Sequence, residues 1–192
     1  DFCLSRGLGD VYKRQVGSPF PDFTFGIRLG GEWNNFDFNL FFDGMVGNKI
    51  YNYPRYRLES GNFNGNMSTV LANSWRPDNQ NTDIPRFSKT DGADNKWAYS
   101  DRWLEDGSYL RLKTLDIGYT LPKNLTKKIS LDNVRIYTSM ENLFTLTKYS
   151  GYTPDLGESS VAGVDYNVFS RGIDQGRYPL PRTISFGIQV NL

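Results

Sequence analysis

Hydrophobic and polar residues alternate with a period of two along several stretches of this chain. From Phe23 to Trp33 the odd positions are Phe23, Phe25, Ile27, Leu29, Gly31 and Trp33, and the even ones are Thr24, Gly26, Arg28, Gly30 and Glu32. Successive strand side chains point to opposite faces, so the pattern predicts a strand with one apolar and one polar face. Asn34 and Asn35 follow, a pair that tolerates positive φ and suits a two-residue hairpin turn. Phe36, Phe38, Leu40, Phe42, Gly44 and Val46 then carry the apolar set onward, with Asp37, Asn39 and Asp43 between them. Such a turn sets Trp33 opposite Phe36, Leu29 opposite Leu40 and Ile27 opposite Phe42. Every pair falls on the apolar face, which is what specifies a register.

Three more strands are expected. Leu115, Ile117, Tyr119 and Leu121 alternate with polar residues until Pro122, whereas Leu110 and Leu112 lie in the opposite phase. The phase break places a bulge or a membrane boundary near Lys113 and Thr114. Val134, Ile136, Thr138 and Met140 alternate with Arg135, Tyr137, Ser139 and Glu141. In the last strand Ile184, Phe186, Ile188, Val190 and Leu192 face one way, and Thr183, Ser185, Gly187, Gln189 and Asn191 the other.

The connections run short (34–35), long (51–108), short (122–132) and long (146–178) along the chain. That parity is the mark of a transmembrane β-barrel, with short periplasmic turns and long extracellular loops. Strands of roughly ten residues match the ~9–11 that a tilted strand needs to cross a bilayer. The fold class expected is therefore all-β: about five C-terminal antiparallel strands of a large multi-pass barrel in the outer membrane. Its wall would turn Phe23, Phe25, Ile27, Leu29, Trp33, Phe36, Phe38, Leu40, Phe42, Ile117, Tyr119, Ile184, Phe186, Ile188, Val190 and Leu192 to lipid. Arg28, Asp37, Asn39, Arg135, Glu141 and Gln189 would face a wet lumen. Trp33 and Phe36, beside the short turn, suit an interfacial aromatic girdle.

Composition narrows the chemistry. Lys and Arg number 22 against 21 Asp and Glu among 192 residues, which argues against a nucleic-acid binder with its basic excess. A mean hydropathy of -0.54 and the lack of a long apolar run leave no transmembrane helix, but strands apolar on one face only escape that test. With no His, a His-zinc site, a Ser-His-Asp triad and a Cys-His dyad are all impossible. Cys3 is the sole cysteine and has no internal disulfide partner. Residues 1–15, Asp1 to Gln15, share no pattern with the rest and lack the apolar stretch of a signal peptide. They read as a non-native or mis-assembled leader, leaving 16–192 as the barrel segment.

The final residues resemble the outer-membrane insertion signal, carried by Ser185, Gly187, Val190 and Leu192, with Leu where Phe is more usual. An amphipathic terminal strand of this kind can join assembly machinery by edge addition. Five further stretches, in order, resemble the SusC/RagA family of TonB-linked importers of Bacteroidetes. They are Ser74-Trp75-Arg76-Pro77-Asp78-Asn79-Gln80-Asn81-Thr82-Asp83-Ile84-Pro85-Arg86, Ser108-Tyr109-Leu110-Arg111-Leu112-Lys113 and Ile117-Gly118-Tyr119-Thr120-Leu121-Pro122. Glu141 to Asp155 (ENLFTLTKYSGYTPD) and Tyr178-Pro179-Leu180-Pro181-Arg182 continue the match. The resemblance spans about 16–192 and implies a barrel of ~22 strands around a plug. Neither plug nor TonB-contacting segment is recognisable here, and five strands cannot close such a barrel, so the chain reads as a fragment. The resemblance further implies a TonB-dependent importer of glycans or peptides that works with a SusD-like surface lipoprotein and the TonB complex, without a cofactor.

Several functional readings stand beside plainer ones. Trp75, Trp97 and Trp103 in the first long loop are candidates for contacting sugar or a partner, although packing of the loop on itself is favoured about two to one, since long loops need their own small core. Residues 66–75 suit a short helix within that loop. Asp78, Asp83, Asp91, Asp94, Asp101 and Asp106 lack the spacing of a calcium loop, so a solvated loop is the better account. Glu32 and Glu141 form no recognisable glycosidase pair, and an enzyme reading is rejected. The competing fold is a soluble, secreted β-sandwich that binds carbohydrate, with its apolar faces buried between two sheets.

Overall fold

A computed structural model of the chain describes residues 16–61, 65–87, 100–127, 131–156 and 171–191. Five long strands make one antiparallel sheet. They are β1 (Phe23–Trp33), β2 (Phe36–Val46), β5 (Tyr109–Thr120), β6 (Asn133–Thr147) and β8 (Thr183–Asn191), in the spatial order β1-β2-β5-β6-β8. Each pairs with the next long strand along the chain, an up-and-down meander. Between them lie β3 (Lys49–Asn52), α1 (Tyr53–Glu59), β4 (Leu104–Asp106), α2 (Lys123–Thr126) and β7 (Ile173–Asp174).

The hairpin has the register that its apolar pattern demands, with Trp33 on Phe36, Leu29 on Leu40 and Ile27 on Phe42. Asn34 and Asn35 adopt φ of 48° and 73°, positive at both central positions, as a type I′ turn requires. On the first long side of the sheet, β3 begins at Lys49, so the connection expected from residue 51 starts inside a strand.

The phase break at Lys113 is a bulge that runs across three strands. Phe41 and Phe42 of β2 pair with Thr114 and Leu112, leaving Lys113 extra on β5. On β6 two residues, Asn142 and Leu143, lie between the partners of those same positions, Glu141 and Phe144. Asn142 takes φ 52°, the left-handed conformation that lets a bulge insert its extra residue. Each strand thus gains one residue over its neighbour. The added residues bring Leu110 and Leu112 onto the same face as Leu115 and Ile117.

The sheet consequently has one continuous apolar face, and nothing among the described residues covers it. Trp33 is 76 % exposed, Phe186 82 % and Ile188 69 %, and Phe23, Ile27, Leu29, Phe36, Phe38, Ile117, Ile136, Ile184 and Val190 are exposed as well. A β-sandwich would bury such a face against a second sheet ~10 Å away; the smaller three-stranded sheet, β4-β3-β7, belongs to the long connections instead. Aromatic rings tile the apolar face by lying over glycines of neighbouring strands. A Cβ on Gly31 would fall 2.9 Å from the Phe38 ring, and one on Gly44 2.6 Å from that of Phe25.

The same device appears on the polar face at Gly187, where an added Cβ would sit 2.4 Å from Cζ of Tyr137, its cross-strand partner. Gly187→Val is expected to displace that ring and destabilise the β6–β8 pair by ~1–3 kcal/mol, the usual cost of overpacking. The shift in urea midpoint of the folded full-length protein measures it. Adding Tyr137→Ala should recover part of the loss, because the two side chains compete for one volume.

Candidate functional site

Rows of cross-strand partners build the polar face. Nearest the short turns, Asp37 of β2 and Arg135 of β6 reach over β5 to each other: Arg135 donates from Nε to Oδ1 at 2.9 Å and from Nη2 to Oδ2 at 2.5 Å. The strand between supplies Gly118, whose Cβ, if present, would lie 2.4 Å from Asp37 Oδ1 and 2.5 Å from Arg135 Nε. Glycine is needed there so that a fork-shaped guanidinium can meet the carboxylate in two parallel bonds. Gln189 pairs with Arg135 from β8. One row on, Asp116 accepts from Asn39 Nδ2 at 3.1 Å and from the Ser139 hydroxyl at 2.6 Å.

The next row runs Arg28, Phe41, Thr114 and Glu141 across four strands. Arg28 stands 5.6 Å from the Phe41 ring centroid and Lys113 5.9 Å from the same centroid. Beyond it Arg111, nearly buried, donates to Thr145 Oγ1 at 3.3 Å and to Asp155 Oδ2 at 3.1 Å, and stacks 4.8 Å over Tyr109. Asp155 belongs to the second long connection, so Arg111 ties that connection to the sheet. Arg28, Asp37, Asn39, Arg135, Glu141 and Gln189 therefore share one face, but only Asp37 and Arg135 bond directly. Glu32 and Glu141 are not brought together. Three strand spacings and four residues along the strands separate them, on the order of 19 Å, against the ~5–9.5 Å that glycoside hydrolysis uses.

Above the long-connection end of the sheet the two connections fold together. β3 pairs antiparallel with β4 and parallel with β7, so the second connection contributes a strand to a sheet made by the first. Ile50, Tyr149 and Leu156 form a buried cluster. Trp103, offered by the sequence as a surface contact, is 1 % exposed and meets Tyr56 edge to face at 5.6 Å. Its large apolar ring is the centre of the loop core, which removes it from any contact surface. Trp75, 39 % exposed, remains on the surface beside a 3-10 helix, Thr69–Asn73, where the sequence suggested a short helix. Trp97, Asp91 and Asp94 lie outside the described residues, as do residues 1–15 and Leu192.

Glu105 is the polar hub of these loops. Its Oε1 accepts from Asn52 Nδ2 (3.1 Å), Arg55 Nη1 (3.1 Å) and the Ser150 hydroxyl (2.8 Å), and its Oε2 from the Ser150 amide (2.8 Å). Burial pushes this carboxyl up, but the bonds from Ser150, Arg55 and Asn52 outweigh it and hold it below the usual carboxylate range. A lowered folded value means that the contribution is complete above the unfolded carboxyl range near ~4.3 and is lost as pH falls through the folded value. Protection of the Ser150 amide, taken relative to its intrinsic exchange rate, should hold from neutrality down through the unfolded carboxyl range and be lost as pH falls through the lowered folded value; Glu105→Gln should remove that pH dependence. On the far side Tyr149 donates to Asp174, and burial followed by that carboxylate pushes the phenol up, so it stays a donor. Asp174 Oδ1 accepts from the amides of Gly176 and Arg177 at 2.8 and 3.1 Å.

The alternation pattern does not reveal α1. Its signal is Asn52-Tyr53-Pro54, in which the Asn52 side chain caps the Arg55 amide at 3.0 Å and Pro occupies the first turn, a combination that starts helices.

The geometry is thus a five-stranded meander, apolar on one face and polar on the other, with alternating short and long connections. No family model matches the chain. TonB-dependent receptor P3 of Formosa agariphila is 39% identical over 192 residues, 98% of this chain and 18% of that protein. TonB-dependent receptor SusC of Bacteroides thetaiotaomicron is 25% identical over 190 residues, 97% of this chain and 16% of that protein. The RagAB peptide importer aligns in its closed-closed state with a TM-score of 0.73 at 30% identity, over 92% of this chain and 18% of that one. Its open-open state gives 0.74 at 29%, over 93% and 18%. The chain belongs to the SusC/RagA family. It spans less than a fifth of the relatives that it matches, and its sheet is an arc of a SusC/RagA barrel, which accounts for the two open edges at β1 and β8.

Proposed function

We propose that this arc is part of the wall of an outer-membrane importer, with its apolar face against lipid and its polar face lining the lumen. The observation that carries the reading is the uncovered apolar face backed by a polar one that is bonded across strands at Asp37–Arg135 and at Asn39–Asp116–Ser139. In water, so many exposed Phe, Ile and Leu side chains on one contiguous surface would drive association; in a bilayer they are matched to acyl chains. The short turns then lie at the periplasmic rim, where Trp33 and Phe36 reach interfacial depth, and the loop core around Trp103 stands outside the cell. Asp37, Asp116, Arg111 and Arg135 of the polar face are paired or hydrogen-bonded across strands, as a wet pore permits.

The whole protein is a TonB-driven nutrient transporter in this account, taking up a peptide or a glycan delivered by a SusD-like lipoprotein. RagAB imports peptides, so a peptide is the first cargo to test. Uptake of fluorescent peptide and oligosaccharide pools by cells carrying the full-length gene should stop when TonB is deleted or the proton gradient is collapsed. Uptake that survives both treatments would make the barrel a passive pore. Trp75, on the loop surface at 39 % exposure, is the loop tryptophan of the described residues left to meet the lipoprotein. Trp75→Ala should weaken co-purification of the two proteins without altering barrel folding, whereas unchanged recovery would remove Trp75 from that interface.

A further inference from the structure

We infer that Arg28, Lys113 and Phe41 form a subsite in the lumenal wall for an acidic group, a carboxylate or sulfate, of the transported molecule. The inference rests on the polar face being the lumen. Arg28 comes from β1 and Lys113 is the extra residue of the bulge in β5, yet both cations stand within 6 Å of one ring, at 5.6 and 5.9 Å. Gly26 makes this possible. A Cβ there would lie 3.2 Å from Phe41 Cε2, so the ring rests on the backbone of β1 and reaches Arg28 on one side and the bulge on the other.

The cations elsewhere on this face are already matched. Arg135 is spent on Asp37, and Arg111 on Asp155 and Thr145. Arg28 and Lys113 have neither an ion pair nor a hydrogen bond among the described residues, and both are exposed. The nearest carboxylates by register are Asp43, which accepts from Tyr109, Asp116, one row away, which accepts from Asn39 and Ser139, and Glu141, across Thr114 in the same row; none of them forms an ion pair with Arg28 or Lys113 among the described residues. The ring's negative face offsets part of the repulsion between two like charges held together. What remains is a pair of cations without an ion-pair partner held at one ring, and clustered cations of this kind attract anions. The bulge itself gains a role here: without its extra residue Lys113 would have no place beside Phe41.

The test reads the local potential without needing the natural cargo. In the full-length protein with its native cysteines replaced by serine, Thr114→Cys places a thiol in the Arg28–Phe41 row. Its rates with an anionic and a cationic methanethiosulfonate, the ethylsulfonate and the ethyltrimethylammonium reagents, are compared at low salt, with citrate as competitor. The anionic reagent should be favoured, and Arg28→Gln with Lys113→Gln should lower the ratio of the two rates about tenfold. Citrate should protect the thiol only while both cations are present, and Phe41→Ala should reduce protection while Phe41→Tyr retains it. A rate ratio indifferent to the double substitution, or citrate protection that persists without the cations, overturns the inference. Failure of the lumenal reading gives a different result: Thr114→Cys unreactive with either reagent in intact membranes while Ile117→Cys, on the opposite face, reacts.

Discussion

Leu40→Arg should destabilise the full-length barrel by ~2–4 kcal/mol, the cost of an arginine on the lipid face near mid-bilayer. Leu40 lies halfway along β2, between Leu29 of β1 and Leu115 of β5, so its side chain is far from either end of the strand and cannot reach water by snorkelling. The neighbouring Asn39 supplies the control. It points to the other face, where it donates to Asp116, and Asn39→Arg puts the same charge one residue away next to a carboxylate. The two variants should differ by more than an order of magnitude in folding equilibrium. Urea titration in lipid vesicles, read by the compact unheated band on a gel, measures both. Equal tolerance of the two would mean that neither face meets lipid.

Trp103→Ala has an expected cost of ~3–5 kcal/mol to the loop core, the range for removing a buried large aromatic. The ring is 1 % exposed and in contact with Tyr56, and Arg102 lies 5.5 Å over it. Truncation leaves a cavity at the junction of α1 and β4, where little else is apolar. The effect should be confined to the loops, because the long strands are held by their own ladders. Amide exchange of β3 and β4 should therefore rise steeply, and proteases should cut the first long connection, while the heat-modifiable barrel band persists. Loss of both together would show that the loop core is required for the barrel to assemble. Trp75→Ala, at an exposed site, should leave exchange in β3 and β4 unchanged.

The long strands were legible because each presents seven or more alternating positions, and a one-residue slip would move a whole apolar set to the wrong face. The hairpin register followed from three residue pairs and the Asn34-Asn35 turn. The bulge was half legible: the phase break at Lys113 marked it on β5, but its continuation at Asn142 depends on pairing with a strand more than twenty residues away. The loop core was illegible for a physical reason. β3, β4 and β7 have four, three and two residues, too few to carry a period, and the parallel pairing of Tyr51 with Ile173 joins segments brought together only by the sheet beneath them. Trp103 and Trp75 look alike in sequence; burial separates them, and burial there is set by where α1 falls. Glu105 likewise gave no signal, since its three side-chain partners come from two different connections.

The measurement that tests the account most directly is a nitroxide scan of β2 in the full-length protein, one label at a time from Phe36 to Val46, in lipid vesicles. Oxygen concentrates in the bilayer and a nickel chelate stays in water, so their relative collision rates report what each side chain faces. The account predicts a period of two, with Phe36, Phe38, Leu40 and Phe42 favouring oxygen and Asp37, Asn39, Phe41 and Asp43 favouring nickel. A profile without that alternation, or with its phase reversed, would contradict the assignment of lipid and lumen on which the rest depends.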